Sequence, residues 1–284
     1  NLTNFIKKYF ILYMNKTTKK AKLSFVELQS KILWDWESAL DIIEKYLKDK
    51  TIDPDYMNPD TNQTLLYIAS MRGRVKIAEA LINAGAKVDN KDNWDRTPLF
   101  IASQNGNTDV VNLLLKNKAD PNTSDEGGIT PLIAAAFNGN LETVNLLLKN
   151  GGNPNNSLTD GSTPLLFAVE KNHLETVMLL LKSGANPRVM KGKMTPLKIA
   201  MKHLKNAKRR KPSLVKDKAV AKSISMVDAL KEAEEFFGIN LYEAARDGKL
   251  KLVEQALKVF SPNDKMVLSK DGSTPLYIAV KNGH

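Results

Sequence analysis

The sequence predicts an all-α solenoid, in which short helix-turn-helix units stack along one axis and β-hairpin-like loops join them. Three observations support this fold class. Thr-Pro-Leu occurs at residues 97–99, 130–132 and 163–165, in steps of 33 residues. Glycine follows the leucine at a fixed distance, at Gly106 and Gly139, and a leucine-rich segment follows each glycine. A fixed period near 33 residues is typical of a repeat array, whose units pack only against their neighbours.

The amino-terminal part of the chain differs from the regular array. Residues 1–22 are basic and have no clear period, so we interpret them as an amino-terminal arm. From residue 23 apolar residues return at helical spacing, in two runs that are separated near Trp36. This spacing predicts a helix pair, and residues 23–61 are interpreted as an amino-terminal cap or a degenerate repeat.

Residues 62–194 are interpreted as four regular units. Their first helices are predicted to begin at Thr64, Thr97, Thr130 and Thr163. A threonine hydroxyl can accept an N–H bond at a helix start, and a proline at the first helical position removes an N–H that has no partner there. Glycine then lets the chain leave the helix in the left-handed conformation, and Asn172 takes that position in the fourth unit. Lys118 stands where other units exit through glycine, which predicts a weaker turn.

The fifth unit, residues 195–238, is longer than the period allows. A basic insertion over residues 205–223 is predicted to be a lengthened turn between its two helices, the second of which is predicted over residues 225–237. Residues 239–284 contain a sixth unit and the start of a seventh. A stack that ends after half a unit exposes apolar surface, so we expect the native chain to continue beyond His284.

These features together resemble the ankyrin repeat. The shared features are the Thr-Pro-Leu start, a small residue in the first helix, the glycine stop, the leucine-rich second helix and exits such as Gly184-Ala185. The resemblance covers residues 23–284 and implies an ankyrin-repeat solenoid. The chain departs from the family at the residue after the leucine, where the family usually has histidine. The residues found there are Tyr67, Phe100, Ile133, Leu166, Lys198 and Tyr277. We expect apolar stacking to replace the family's histidine ladder.

The residue inventory argues against catalysis, a cofactor and a metal centre. The chain has three histidines, no cysteine and no phosphate-cradling glycine loop. His173 and His284 follow the glycine position, where ankyrin units commonly have histidine, and His203 lies among lysines. Carboxylates recur with the period, as expected for residues at helix starts. They include Asp109, Glu142 and Glu175. We therefore expect no enzyme activity and no catalytic residue.

Composition also bears on the compartment. The absence of cysteine indicates a reducing compartment, the cytoplasm or the nucleus. No apolar run approaches the roughly 20 residues that a membrane span requires. The bias towards lysine and asparagine suits either a eukaryotic scaffold or a bacterial effector delivered into the host-cell cytosol, and both interpretations stay open.

The family resemblance implies protein binding through the concave face of the first helices and the hairpin tips. The fifth and sixth positions after each leucine are predicted to line that face. They are Met71, Arg72, Gln104, Asn105, Phe137, Asn138, Glu170 and Lys171. Phe137 is the first candidate for an anchor and Arg72 the second, because aromatic and arginine side chains dominate interface energetics. Trp94 is the candidate at a hairpin tip. For Phe137 and Trp94, packing against the adjacent unit is the alternative.

The basic insertion offers a second candidate surface. Its clustered cations are Lys205, Lys208, Arg209, Arg210 and Lys211. Such a run occurs in nuclear-import signals, in contacts with acidic proteins or membrane surfaces, in nucleic-acid patches and in solvated loops. Aromatic residues are absent from it, so base stacking, and with it nucleic-acid binding, is not favoured. An acidic partner or an import receptor is the expected ligand.

The interpretation that joins these observations is a non-catalytic scaffold or adaptor that binds another protein. One alternative is a targeting module, in an effector or another multidomain protein, whose catalytic domain lies outside this segment. A further alternative is a nuclear or nucleic-acid-associated factor that uses the basic insertion.

Overall fold

The structure of the chain, a computed structural model, describes residues 25–34, 36–50, 52–210 and 218–236. Within these ranges there are twelve α-helices and no β-strand. The helices are α1 (Phe25–Trp34), α2 (Trp36–Lys48), α3 (Leu65–Met71), α4 (Val75–Asn83), α5 (Pro98–Asn105), α6 (Thr108–Lys116), α7 (Pro131–Asn138), α8 (Leu141–Lys149), α9 (Pro164–Glu170), α10 (Leu174–Lys182), α11 (Pro196–Arg210) and α12 (Lys218–Phe236). The predicted arm and the predicted sixth and seventh units lie outside the described residues.

The helices form a two-layer, all-α repeat solenoid. Each odd-numbered helix packs against the even-numbered helix that follows it, from α1 with α2 to α11 with α12. The first helices of neighbouring pairs also contact one another, as α3, α5, α7, α9 and α11 do in turn, and the second helices form a parallel layer. The chain therefore builds one continuous core by stacking, and the first helices present one shared outer surface, here named the first-helix face.

The first helices begin as the sequence predicts. In α3, α5, α7 and α9, the threonine before the helix accepts a hydrogen bond from the backbone N–H three residues later, at 3.1–3.3 Å. The residues that replace the family's histidine are buried in these four helices, with 0–3% exposure. They are Tyr67, Phe100, Ile133 and Leu166. Their burial is what apolar stacking requires, whereas Lys198 in α11 is exposed.

The turns after the first helices carry a ladder of polar side chains between units. Asn107 donates from Nδ2 to the carbonyl of Ser70 at 2.8 Å, and Asn140 donates in the same way to the carbonyl of Ser103 at 3.0 Å. His173 continues the series with Nε2 at 3.1 Å from the carbonyl oxygen of Phe137. We name these three side chains the turn ladder. Its existence gives His173 the structural role that its position predicted.

The residues that enter these turns adopt the left-handed conformation. Gly106 and Gly139 have φ values of 71° and 73°, and Asn172 has φ 61°. Asn172 therefore replaces glycine as predicted, since asparagine tolerates this conformation better than most side chains do.

The described part of the basic insertion is helical and does not form the predicted turn. Helix α11 continues through Arg210 and α12 begins at Lys218, seven residues before the predicted start. Residues 205–210 and 218–223 are thus helical, and residues 211–217 lie outside the described ranges. Lysine, leucine and alanine are good helix formers, and Val220 and Ser223 are buried. Longer helices thus take up part of the residues that exceed the 33-residue period.

A stabilising substitution is predicted at the exit of α6. Lys118 has φ 66°, a conformation that costs an L-residue about 1 kcal/mol and costs glycine almost nothing. We expect Lys118→Gly to raise the free energy of unfolding by about 0.5–1 kcal/mol, measured by urea denaturation. Lys116→Gly, two residues earlier and inside α6, is the control and should lower it by a similar amount. A destabilised Lys118→Gly variant would contradict the prediction.

Candidate functional site

Two aromatic rings meet on the first-helix face between the third and fourth regular units. Phe137 lies near the end of α7 and Phe167 lies in the middle of α9. Their ring centroids are 5.7 Å apart with an interplanar angle of 68°, an edge-to-face arrangement. The ammonium of Lys171, which follows α9, lies 4.2 Å from the centroid of the Phe137 ring. Even so, Phe137 is 40% exposed.

A second lysine, located in the adjacent hairpin, contacts the same group of residues. The ammonium of Lys191 lies 5.5 Å from the ring centroid of Phe167 and 3.5 Å from a carboxylate oxygen of Glu170. It also lies 3.5 Å from a carboxylate oxygen of Asp160. We name Phe137, Phe167, Glu170, Lys171 and Lys191 the Phe137 cluster. Each exposed ion pair is worth at most about 1 kcal/mol, so the cluster is held by its rings and their cations together.

His203 borders the cluster from α11. Burial lowers the pKa of His203, the nearby Lys202 lowers it further, and the Glu170 carboxylate acts in the opposite direction. His203 is thus neutral at neutral pH and adds no positive charge to the surface beside Glu170.

Trp94 lies in the hairpin before α5 and is 46% exposed. The guanidinium carbon of Arg96 lies 4.6 Å from its ring centroid and 5.9 Å from that of Tyr67. Arg96 also donates from Nε and Nη2 to one carboxylate oxygen of Asp92, at 2.9 and 2.6 Å. The Trp94 ring thus stacks on Arg96 of its own hairpin, and nearly half of its surface stays exposed.

Asp92 is the most buried charge of this hairpin, with no exposed side-chain surface. Its second oxygen accepts the backbone N–H groups of Trp94 and Arg96, each at 3.0 Å. Burial acts to raise the pKa of Asp92, but the bonds from Arg96 and the backbone N–H groups outweigh it and hold that pKa below its usual range. Burial and the Asp92 carboxylate in turn raise the pKa of Tyr67, so its hydroxyl stays neutral.

The remaining residues predicted to line the first-helix face divide into three groups. Met71 is half-buried and packs against the core, and Gln104 is half-buried too. Asn105 donates to the carbonyl of Met71 at 2.9 Å, and Asn138 donates to the carbonyl of Gln104 at 3.0 Å. These two asparagines are exposed but also join adjacent units. Arg72 directly follows α3 and is exposed.

Four of the five predicted basic residues lie on α11. Lys205, Lys208 and Arg209 are exposed. Arg210 is the last residue of α11, and Lys211 lies outside the described residues.

Sequence reasoning missed Phe167, Lys191 and the Asp92–Arg96 pair. Phe167 could have been found from the repeat period. Glu170 stands one period after Phe137, and Phe167 lies one helical turn before Glu170, so both side chains are expected near Phe137. No comparable signal exists for Lys191, since a hairpin residue reaches this surface only through the stacking of units.

In the described part of the chain, no group of three or more histidine, aspartate or glutamate side chains is arranged to hold a metal ion. No helix of residues 25–34, 36–50, 52–210 or 218–236 has both the length and the apolar character needed to cross a membrane.

Comparison with known families agrees with the geometry of the helix pairs. A family model described as ankyrin repeats (3 copies) matches residues 36–125 and 132–209, and one described as ankyrin repeats (many copies) matches residues 106–148. No curated protein matches the chain. Ankyrin repeats are generally protein–protein interaction modules and are typically non-catalytic. Because the matches span more than half of the sequence and follow the stacked helices from α2 to α11, the chain belongs to the ankyrin-repeat family.

Proposed function

We propose that the chain is a non-catalytic scaffold or adaptor that holds a partner protein against the first-helix face, with Phe137 as the anchor. The strongest support is that the Phe137 ring is exposed and at the same time held by contacts. It is 40% exposed although Phe167 and Lys171 are in contact with it. An aromatic ring that is accessible yet fixed in one orientation is the kind of side chain that carries most of the energy in protein interfaces.

The rigidity of the ring matters as much as its exposure. Ordering a mobile side chain on binding costs about 0.5–1.5 kcal/mol, and a ring already held by its neighbours avoids much of that cost. Phe167 restrains one edge of the Phe137 ring and the ammonium of Lys171 lies over it. A partner therefore meets a preformed surface that it can cover without rearranging the repeat.

Substitution of Phe137 tests this proposal. Phe137→Ala is expected to weaken partner binding by about 2 kcal/mol, close to thirtyfold, because it removes the anchor ring. Partners would be captured from native cytosol with the immobilised chain, identified by mass spectrometry, and their affinity then measured with purified protein. Adding Arg72→Ala, at the second candidate anchor, is expected to weaken binding further.

Met178→Ala is the matched control. Met178 is 42% exposed, like Phe137, but it lies on α10 in the second-helix layer. It should leave capture unchanged. Thermal unfolding of all variants shows whether the fold survives, and a small loss is expected for Phe137→Ala because the contact with Phe167 is lost. Equal affinity of wild type and Phe137→Ala for every captured protein would rule out Phe137 as the anchor.

We further propose that this binding takes place in the cytoplasm or the nucleus, or in the cytosol of a host cell for a delivered effector. The absence of cysteine supports a reducing compartment. A role in targeting an enzyme domain encoded elsewhere is compatible with the same surface, since the Phe137 cluster would then select the place where that enzyme acts.

A further inference from the structure

Four cations form a row along one side of α11. Lys198, Lys202, Lys205 and Arg209 follow one another in steps of four, three and four residues. Residues at these spacings lie on the same side of an α-helix. All four side chains are exposed. We name them the α11 basic stripe, and at a rise of 1.5 Å per residue it is about 16 Å long.

In the described residues, no ion pair joins the stripe to a carboxylate. Helix α11 contains no aspartate or glutamate. The ion pairs of the neighbouring elements involve Lys191 and Lys222, and none involves the stripe. Lys198 donates to the backbone carbonyl of Lys193 at 3.2 Å, which leaves its charge without a carboxylate partner. Four like charges on one helix side repel one another, so an anion placed along them would be stabilised.

The stripe continues the surface of the Phe137 cluster. Lys202 stands at the fifth position after Leu197, and Phe137 and Glu170 stand at the fifth position after the leucines of their own units. Because first helices stack side by side, Lys202 lies on the first-helix face next to the fourth unit. Helix α11 is 15 residues long, whereas α7 has 8 residues. The carboxyl-terminal part of the stripe therefore extends past the ends of the shorter first helices.

We propose that the α11 basic stripe binds a row of aspartate or glutamate side chains on the protein partner. This inference rests on the proposed function and adds the chemical class of the partner. A partner segment that covers Phe137 and continues along the first-helix face meets Lys202 and then the rest of the stripe. Charge complementarity of this kind chiefly sets the partner's orientation and its rate of association.

The surroundings of the stripe favour a protein over a membrane or a nucleic acid. Helices that lie in a membrane surface need a broad exposed apolar side. The apolar side of α11 is packed in the core through Ile199 and Ala200, and Met201, 50% exposed, is the large apolar side chain beside the stripe. Single-stranded nucleic acids are bound by aromatic side chains together with cations, and α11 has no phenylalanine, tyrosine or tryptophan.

Peptide selection tests the inference without knowledge of the natural partner. Random 16-residue peptides displayed on phage would be selected on the wild-type chain and on the double variant Lys202→Glu, Lys205→Glu. Lys76→Glu with Lys116→Glu is the matched control, since these exposed lysines lie on α4 and α6 in the second-helix layer. Peptides selected on the wild type and on the control are expected to be rich in aspartate and glutamate.

One selected peptide would then be measured against all variants by fluorescence anisotropy at low and high salt. The stripe variant is expected to bind it about tenfold more weakly than the wild type, and the control variant equally well. Wild-type affinity should fall as salt rises. Melting curves of the variants would establish that the substituted helices remain folded.

Different failures point to different conclusions. Acid-poor peptides, or equal affinity of wild type and stripe variant, would overturn the inference. If Phe137→Ala weakens binding and the stripe variant does not, the proposed function stands without this addition. If the stripe variant binds more weakly and Phe137→Ala does not, Phe137 is not the anchor and the stripe contributes to binding without it. Stripe-dependent binding to a 20-base-pair DNA duplex or to phosphatidylserine vesicles, tighter than to the peptide, would overturn the assignment to an acidic protein.

Discussion

Replacing Arg96 by alanine is expected to lower the free energy of unfolding by about 3 kcal/mol. The reason is the carboxylate that it leaves behind. Asp92 has no exposed side-chain surface, and one of its oxygens has Arg96 as its partner at 2.6 and 2.9 Å. Without the guanidinium that oxygen stays buried and charged with no counter-ion. The loss would be measured by urea denaturation at pH 7.

Two control variants distinguish the cost of leaving the Asp92 carboxylate buried without a partner from the cost of losing side-chain contacts. Asp92→Asn combined with Arg96→Met removes both charges and keeps similar volumes, so its cost should be clearly smaller than that of Arg96→Ala. Lys91→Ala breaks the exposed pair with Asp95, at 3.6 Å, and should cost less than about 1 kcal/mol. If Arg96→Ala were no more damaging than Lys91→Ala, the Asp92–Arg96 pair would not be a stabilising element.

The pH dependence of this pair has a definite sign. The pKa of Asp92 is lower in the folded chain than its usual value. Its contribution to stability is therefore fully present above the unfolded-state pKa of about 3.9 and is lost as the pH falls through the lower folded-state pKa. The stability difference between wild type and Asp92→Asn should be the same at pH 7 and pH 5 and smaller at pH 3.

Gly139→Ala is expected to lower the free energy of unfolding by about 2–3 kcal/mol. Gly139 has φ 73°, which costs an L-residue about 1–2 kcal/mol. In addition, an alanine Cβ at this site would lie 2.5 Å from Nδ1 of His173. His173 would have to move and give up its contact with the carbonyl of Phe137, which costs about 1 kcal/mol more. Urea denaturation would again provide the measurement.

Gly151→Ala is the control for backbone strain alone. Gly151 has φ 89°, and a Cβ there would meet nothing within 4 Å. It should cost only the conformational penalty of about 1–2 kcal/mol. Equal losses of unfolding free energy for Gly139→Ala and Gly151→Ala would show that the His173 side chain can be displaced without loss of stability. A larger loss for Gly139→Ala would in turn identify the ladder as a coupling between the third and fourth units.

The solenoid and the form of its regular units could be predicted from the sequence. Local rules act within one period: threonine caps a helix start, proline occupies the first turn, and glycine or Asn172 adopts a left-handed turn. None of these depends on distant residues, so the pattern at Thr97 predicted the helix starts at Thr130 and Thr163. The burial of the apolar residues that replace the family's histidine, such as Phe100, likewise follows from their position in the repeat.

The contacts between polar and aromatic residues of adjacent units depend on the tertiary structure. The contact of Phe137 with Phe167, and the reach of Lys191 to both Phe167 and Glu170, arise only when adjacent units are stacked. Tertiary packing also stabilises the part of the basic insertion that lies on α12, since Val220 and Ser223 are buried there. The periodic sequence specifies each unit through local bonds, whereas the surface that a partner would meet is set by the offset between units, which no single repeat contains.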